Sequence, residues 1–95
     1  MAFTAQFFVI YITRLPTATL EEVKTQMDHA LDWYRISESL WIVYTTSDPE
    51  KWFARLSPLV KEAGRVFICK LDTSVRQGWM NKDFWSWLRR EKPEP

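Results

Sequence analysis

The sequence predicts an α+β fold for this chain of 95 residues, and three observations carry that prediction. Short apolar runs of strand length alternate with stretches whose apolar residues recur at helical spacing. Helix-start signals follow the strand-like runs directly. Hydrophobic residues make up 46% of the chain, enough for one core and too many for a disordered segment.

The first strand is expected over Phe3 to Thr13. Phe7, Val9 and Tyr11 fall on one face and Phe8, Ile10 and Ile12 on the other, so both faces are apolar. Arg14-Leu15-Pro16 ends it. Thr19 and Glu22 then form a capping box. Leu20, Val23, Met27, Ala30 and Leu31 share one arc of the helix that follows. Trp33 lies outside that arc, so the helix is expected to end near Asp32. Trp33 to Ser37 then forms an extended segment, paired through Glu38 and Ser39 with a strand over Leu40 to Thr46. The competing reading continues the helix through Arg35.

The stretch Leu40 to Glu50 organises the rest. An apolar run ends in Ser47-Asp48-Pro49-Glu50, which reads as a capping box of Ser47 and Glu50 with Pro49 in the first turn. The second helix is expected from Asp48 to Ala63, with Trp52, Phe53, Leu56, Leu59, Val60 and Ala63 inward. Pro58 interrupts it on the polar side, where water can satisfy the freed carbonyl of Ala54. Gly64 is expected as a left-handed residue after the helix. Arg65 to Asp72 reads as the last strand. Thr73 to Gly78 is a loop. Asn81 caps a final helix from Lys82 to about Glu91, with Phe84, Trp85, Trp87 and Leu88 on one side.

The resulting order is a ferredoxin-like βαββαβ sandwich with an added C-terminal helix: one domain over 1–92 and a frayed tail over 93–95. Two helices cover one sheet face. The other face is apolar too, and a large apolar patch rarely stays bare on a monomer. The C-terminal helix, a second copy of the chain, or both must cover it. A homodimer through this second face is therefore expected.

Net charge is +1, which disfavours a strongly basic nucleic-acid binder. The C-terminal third is the basic part: residues 65–95 carry seven Lys/Arg against four Asp/Glu. There is one cysteine, so no internal disulfide forms, and Cys69 reads as a small buried residue of an apolar run. The N-terminus lacks a basic leader pattern and no run is long enough to span a membrane, so a cytoplasmic protein is expected, with no membrane partner.

Candidate chemistry is sparse. Asp28 and Asp32 would share a helix face, but their neighbours are polar and the pair reads as a solvated surface. His29 has no second histidine or cysteine to complete a metal set. Thr45 to Asp48 could hold an anion at a helix start, although capping already accounts for Ser47. Two glycines exclude a phosphate loop or a dinucleotide turn. No catalytic residue, metal or cofactor is expected. The binding candidates are Arg76, Gln77, Trp79, Lys82, Arg89 and Arg90. Such mixtures of cation and aromatic bind single-stranded nucleic acid through phosphate contact and stacking. Packing of the aromatics on the sheet or across a dimer is the simpler account.

Three pieces resemble a known group: the strand Phe7 to Thr13, the hairpin Trp33 to Thr46 feeding the Ser47 helix, and the ending Gly78-Trp79…Trp85-Ser86-Trp87-Leu88. They are similar to small bacterial SinR-like proteins and, more distantly, to the small ferredoxin-like CRISPR-associated nucleases. The resemblance implies a homodimer with nucleic acid as the first partner to test. The nucleases carry a metal-binding aspartate at the end of the first strand. Here that position reads Ile12-Thr13-Arg14, and a threonine beside an arginine does not hold Mg²⁺. Three readings remain: a non-enzymatic binder of protein or nucleic acid, an endonuclease whose acid comes from Asp72 or Asp48, or dimerisation as the whole use of the aromatic face.

Overall fold

The structure is a computed structural model and describes residues 4–14 and 16–94. Phe3, Leu15 and Pro95, which the expected first strand, its end and the frayed tail include, lie outside the described residues. The elements run β1 (Gln6–Thr13), α1 (Leu20–Met27), β2 (Asp32–Arg35), β3 (Leu40–Thr45), α2 (Pro49–Val60), β4 (Arg65–Lys70) and α3 (Lys82–Arg89). The four strands form one sheet in the order β2-β3-β1-β4, and each neighbouring pair is antiparallel. The hairpin is therefore the correct reading of Trp33. The helix does not reach Arg35; it stops at Met27, and Asp32 begins a strand. Trp33 Nε1 donates back to Asp28 Oδ1 at 2.9 Å, which ties the strand start to the turn before it.

Pairing sorts the sheet into two faces. Phe8 stands opposite Val43, and Ile10 opposite Trp41 and Ile68. This face is the main core. With Ile12 these side chains pack against Val23 and Met27 of α1 and Trp52, Leu56 and Val60 of α2. Burial of that much apolar surface is the dominant favourable contribution to folding. Trp52 Nε1 donates to Thr45 Oγ1 at 3.3 Å, so a polar group in the core is satisfied. The opposite face is half covered. Phe84 and Trp87 of α3 sit on Ile42, with Phe7, Tyr34, Ile36 and Leu71 around them. That answers part of the expectation for the second face: the C-terminal helix lies over the β2, β3 and near-β1 side. Tyr11 and Phe67, on the β1–β4 side, stay 38% and 61% exposed.

Several local expectations are corrected. Asp48, not Ser47, caps α2: its side chain accepts from the Lys51 amide at 2.9 Å, while the Ser47 amide donates to Thr45 Oγ1 at 3.0 Å. The carboxylate lies one residue nearer the helix axis start, so it reaches the free amide and leaves Pro49 at the first helical position. Helix α2 ends at Val60 rather than Ala63, because Lys61 turns the chain at φ 43°. The positive φ thus falls on Lys61, and no described glycine has one. Gly64 is needed for a different reason: a Cβ there would stand 2.2 Å from the Thr13 carbonyl oxygen and 2.9 Å from Val60 Cβ. Phe53 points outward and is 56% exposed. Strand β4 ends at Lys70, and Cys69 is exposed, not buried, because odd-numbered residues of β4 face the uncovered part of the second face. The Thr19–Glu22 capping box and the Asn81 cap are present as expected. Pro58 and Ala54 are both exposed, as the helical wheel requires. No described helix is long and apolar enough to cross a membrane.

Candidate functional site

After Lys70 the chain leaves the sheet. Residues 71–81 form no regular structure, then Asn81 starts α3. Asn81 Oδ1 accepts from the Phe84 amide at 2.9 Å and from the Tyr34 hydroxyl at 3.1 Å. One side chain therefore both caps α3 and fastens its first turn to β2. Aromatic packing continues the attachment: Tyr34 meets Phe84 edge-on at 5.4 Å between centroids, and Phe7 meets Trp87 at 6.1 Å. The far end of α3 is held by charge. Arg90 reaches Asp32 Oδ2 at 3.1 Å, and Lys92 Nζ lies 3.8 Å from the same oxygen. Lys92 also donates to the Trp87 carbonyl and sits 4.3 Å above the Trp87 ring. Burial lowers the Lys92 ammonium below its usual pKa; Asp32 partly opposes that shift and Arg90 reinforces it.

Between the loop and α3 a groove of about 610 Å³ opens. Ile36, Leu40, Ile42 and Leu71 form its floor, and Phe84, Trp85 and Leu88 form the α3 wall. Val75, Met80 and Trp79 stand on the loop side. Trp79 is 100% exposed and Val75 is almost as bare. Among the described residues, the charged members of the lining are Asp72 and Arg76. Arg76 is steadied by donating to the Thr73 carbonyl at 2.8 Å.

The structure divides the sequence candidates into two groups. Arg76, Gln77 and Trp79 come together at the groove. Lys82 and Arg89 are exposed on α3 and do not line it. Arg90 pairs with Asp32 while its side chain stays largely exposed, so it both fastens α3 and faces water. Val75 and Met80 belong to the rim and were missed from the sequence, since nothing in periodicity marks two apolar residues in an irregular loop. Leu40 and Ile42 were assigned to a strand; only the strand order brings them beneath the loop.

The other candidates have local duties. Asp28 accepts from Trp33, Asp32 anchors the α3 end, and His29 is exposed with Nδ1 3.1 Å from the Gln26 carbonyl. Thr45 is buried and holds the Ser47 amide and the Trp52 indole. Asp48 caps α2. Asp72 accepts from the Ser74 amide at 2.9 Å and its hydroxyl at 2.6 Å, and those bonds hold its carboxyl below the usual range. Among the described residues no group of three or more His, Cys, Asp or Glu is placed to hold a metal ion. No protein-family model, curated protein or solved structure matches the chain.

Proposed function

We propose that this chain is a non-enzymatic, homodimeric, cytoplasmic protein of ferredoxin-like fold that works by holding an apolar segment of another protein. The observation that carries the reading is the bare Trp79 ring at the mouth of an apolar groove. A rigid aromatic beside a concave apolar surface is the usual anchor of a protein contact. Strand order and the placing of α1 and α2 on one face support the ferredoxin-like part. The exposed thiol of Cys69 suits a reducing compartment. Charge favours protein over nucleic acid: one cation and one anion line the groove, so a phosphate backbone finds no cationic track there. The likeness to SinR-like proteins agrees with a binding role and names no partner.

The test is selection of binders from a random peptide library, followed by titration against intrinsic tryptophan fluorescence. Selected peptides are expected to carry a large apolar residue and to bind Trp79→Ala at least tenfold more weakly. The reading fails if no peptide distinguishes the two proteins. It also fails if single-stranded oligonucleotides bind instead, with an affinity that falls steeply with salt and on Arg89→Ala with Arg90→Ala.

A further inference from the structure

The sheet has two edges, and they are built differently. The β2 edge is four residues long and carries Asp32 and Arg35, charges of the kind that block strand addition. The β4 edge is six residues long; Arg65 and Lys70 close its ends as Asp32 and Arg35 close β2, but its uncharged interior, Val66-Phe67-Ile68-Cys69, is twice as long as that of β2 and holds no proline. Among the described residues its one strand partner is β1. The Leu71 amide donates to the Phe7 carbonyl, so odd-numbered residues of β4 turn their backbone groups toward β1. By the alternation of an antiparallel ladder, Val66, Ile68 and Lys70 turn theirs outward. Exposed aromatics flank this edge on both sides: Phe67 on the strand and Phe53 on α2, which share one surface groove.

We infer that β4 pairs antiparallel with β4 of a second copy of this chain, about a two-fold axis at Ile68. The inference rests on the homodimer in the reading above and places its contact at the β4 edge instead of on the second sheet face. The strand's own sequence selects the partner. About that axis Ile68 faces Ile68, Val66 faces Lys70, and Phe67 faces Cys69 of the second copy. Arg65 then faces Leu71, so the two cations at the strand ends never oppose one another. Parallel pairing would set like charges side by side, which is unfavourable. All three outward-facing backbone positions find partners, and the eight-stranded sheet that results removes the exposed edge. An isologous contact of this kind is the commonest way for a chain to pair with itself.

Sedimentation equilibrium over a wide concentration range, combined with oxidative cross-linking, tests the inference. Wild type is expected to be a dimer. Phe67→Lys is expected to be a monomer with unchanged circular dichroism, since Phe67 lies outside the core. Lys70→Pro deletes an outward N–H at an edge position that tolerates proline, and should weaken the dimer about tenfold or more. Phe67→Cys should give a disulfide-linked dimer on a non-reducing gel, and adding Cys69→Ser should abolish it. A wild-type protein that is monomeric at every concentration overturns both this contact and the homodimer. A dimer that ignores Phe67→Lys and Lys70→Pro and forms no 67–69 cross-link overturns this contact alone.

Discussion

At the scale of single residues, two glycines show how little a residue type says without its surroundings. Gly64 lies where a Cβ would press on the Thr13 carbonyl and on Val60, while Gly78 has nothing within 4 Å. The Thr13 oxygen belongs to β1 and Val60 to α2, so neither can yield without moving an element of the core. Gly64→Ala is expected to cost roughly 3 kcal/mol, read as a lower urea midpoint at constant slope. Gly78→Ala should stay within about 0.5 kcal/mol of wild type. From the sequence Gly64 reads as a helix terminator. Its true constraint is a close approach between segments fifty residues apart, which no local pattern encodes. Cys69 is similar. An apolar neighbourhood in the sequence implied burial, but alternation placed it on a part of the sheet that α3 does not reach.

Among elements, α3 is the one whose attachment is most divided. It meets the sheet through aromatic side chains, one capping asparagine and a C-terminal cluster of charges. Asn81 serves the helix start and the Tyr34 hydroxyl together. Asn81→Ala should therefore cost somewhat more than an ordinary cap, about 1.5 kcal/mol, because it also removes the exposed hydrogen bond to Tyr34. The expected signature is a loss of near-ultraviolet circular dichroism from Tyr34, Phe84 and Trp87 with little change in helix content. If the cost stays near the ~1 kcal/mol of an ordinary cap, the Tyr34 contact contributes nothing. The helix itself was legible, since Asn81 and the apolar arc of Phe84, Trp87 and Leu88 stand plainly in the sequence. Which half of the sheet it covers was not. That depends on Ile36 and Leu71 packing against Ile42, Phe84 and Trp87, a meeting of distant segments that no local pattern encodes.

For the molecule as a whole, Lys92 links stability to pH. Its ammonium is largely buried against Trp87, and burial lowers its pKa despite Asp32. The sign follows directly. A base with a folded pKa below its unfolded value binds fewer protons when folded, so stability rises with pH between those two values and is flat above the unfolded one. Wild type is expected to gain stability as pH climbs toward the ordinary lysine range. Lys92→Met should remove that rise and cost little at neutral pH, since a methionine fills the space over the ring without a charge. Asp32→Asn, which removes the lysine's carboxylate partner, should cost about 1 to 2 kcal/mol and extend the rise to lower pH. Chemical denaturation at a series of pH values separates the three proteins. A wild-type profile identical to that of Lys92→Met removes the role assigned to this lysine.

The sequence by itself determined the order of the elements and the Thr19 and Asn81 caps, and it favoured a hairpin at Trp33 over a longer helix. Those are short-range matters of periodicity and hydrogen-bond supply, settled within a turn or two of chain. Only the tertiary structure decided that Asp48 rather than Ser47 caps α2 and that Asp32 and Lys92 meet across the fold. It also decided that Val75, Trp79 and Met80 border the same groove as Leu40 and Ile42, and that α3 leaves the β4 side of the sheet bare. Each of these depends on where one element sits against another, and packing and strand register set that placement over distances that no window of sequence spans.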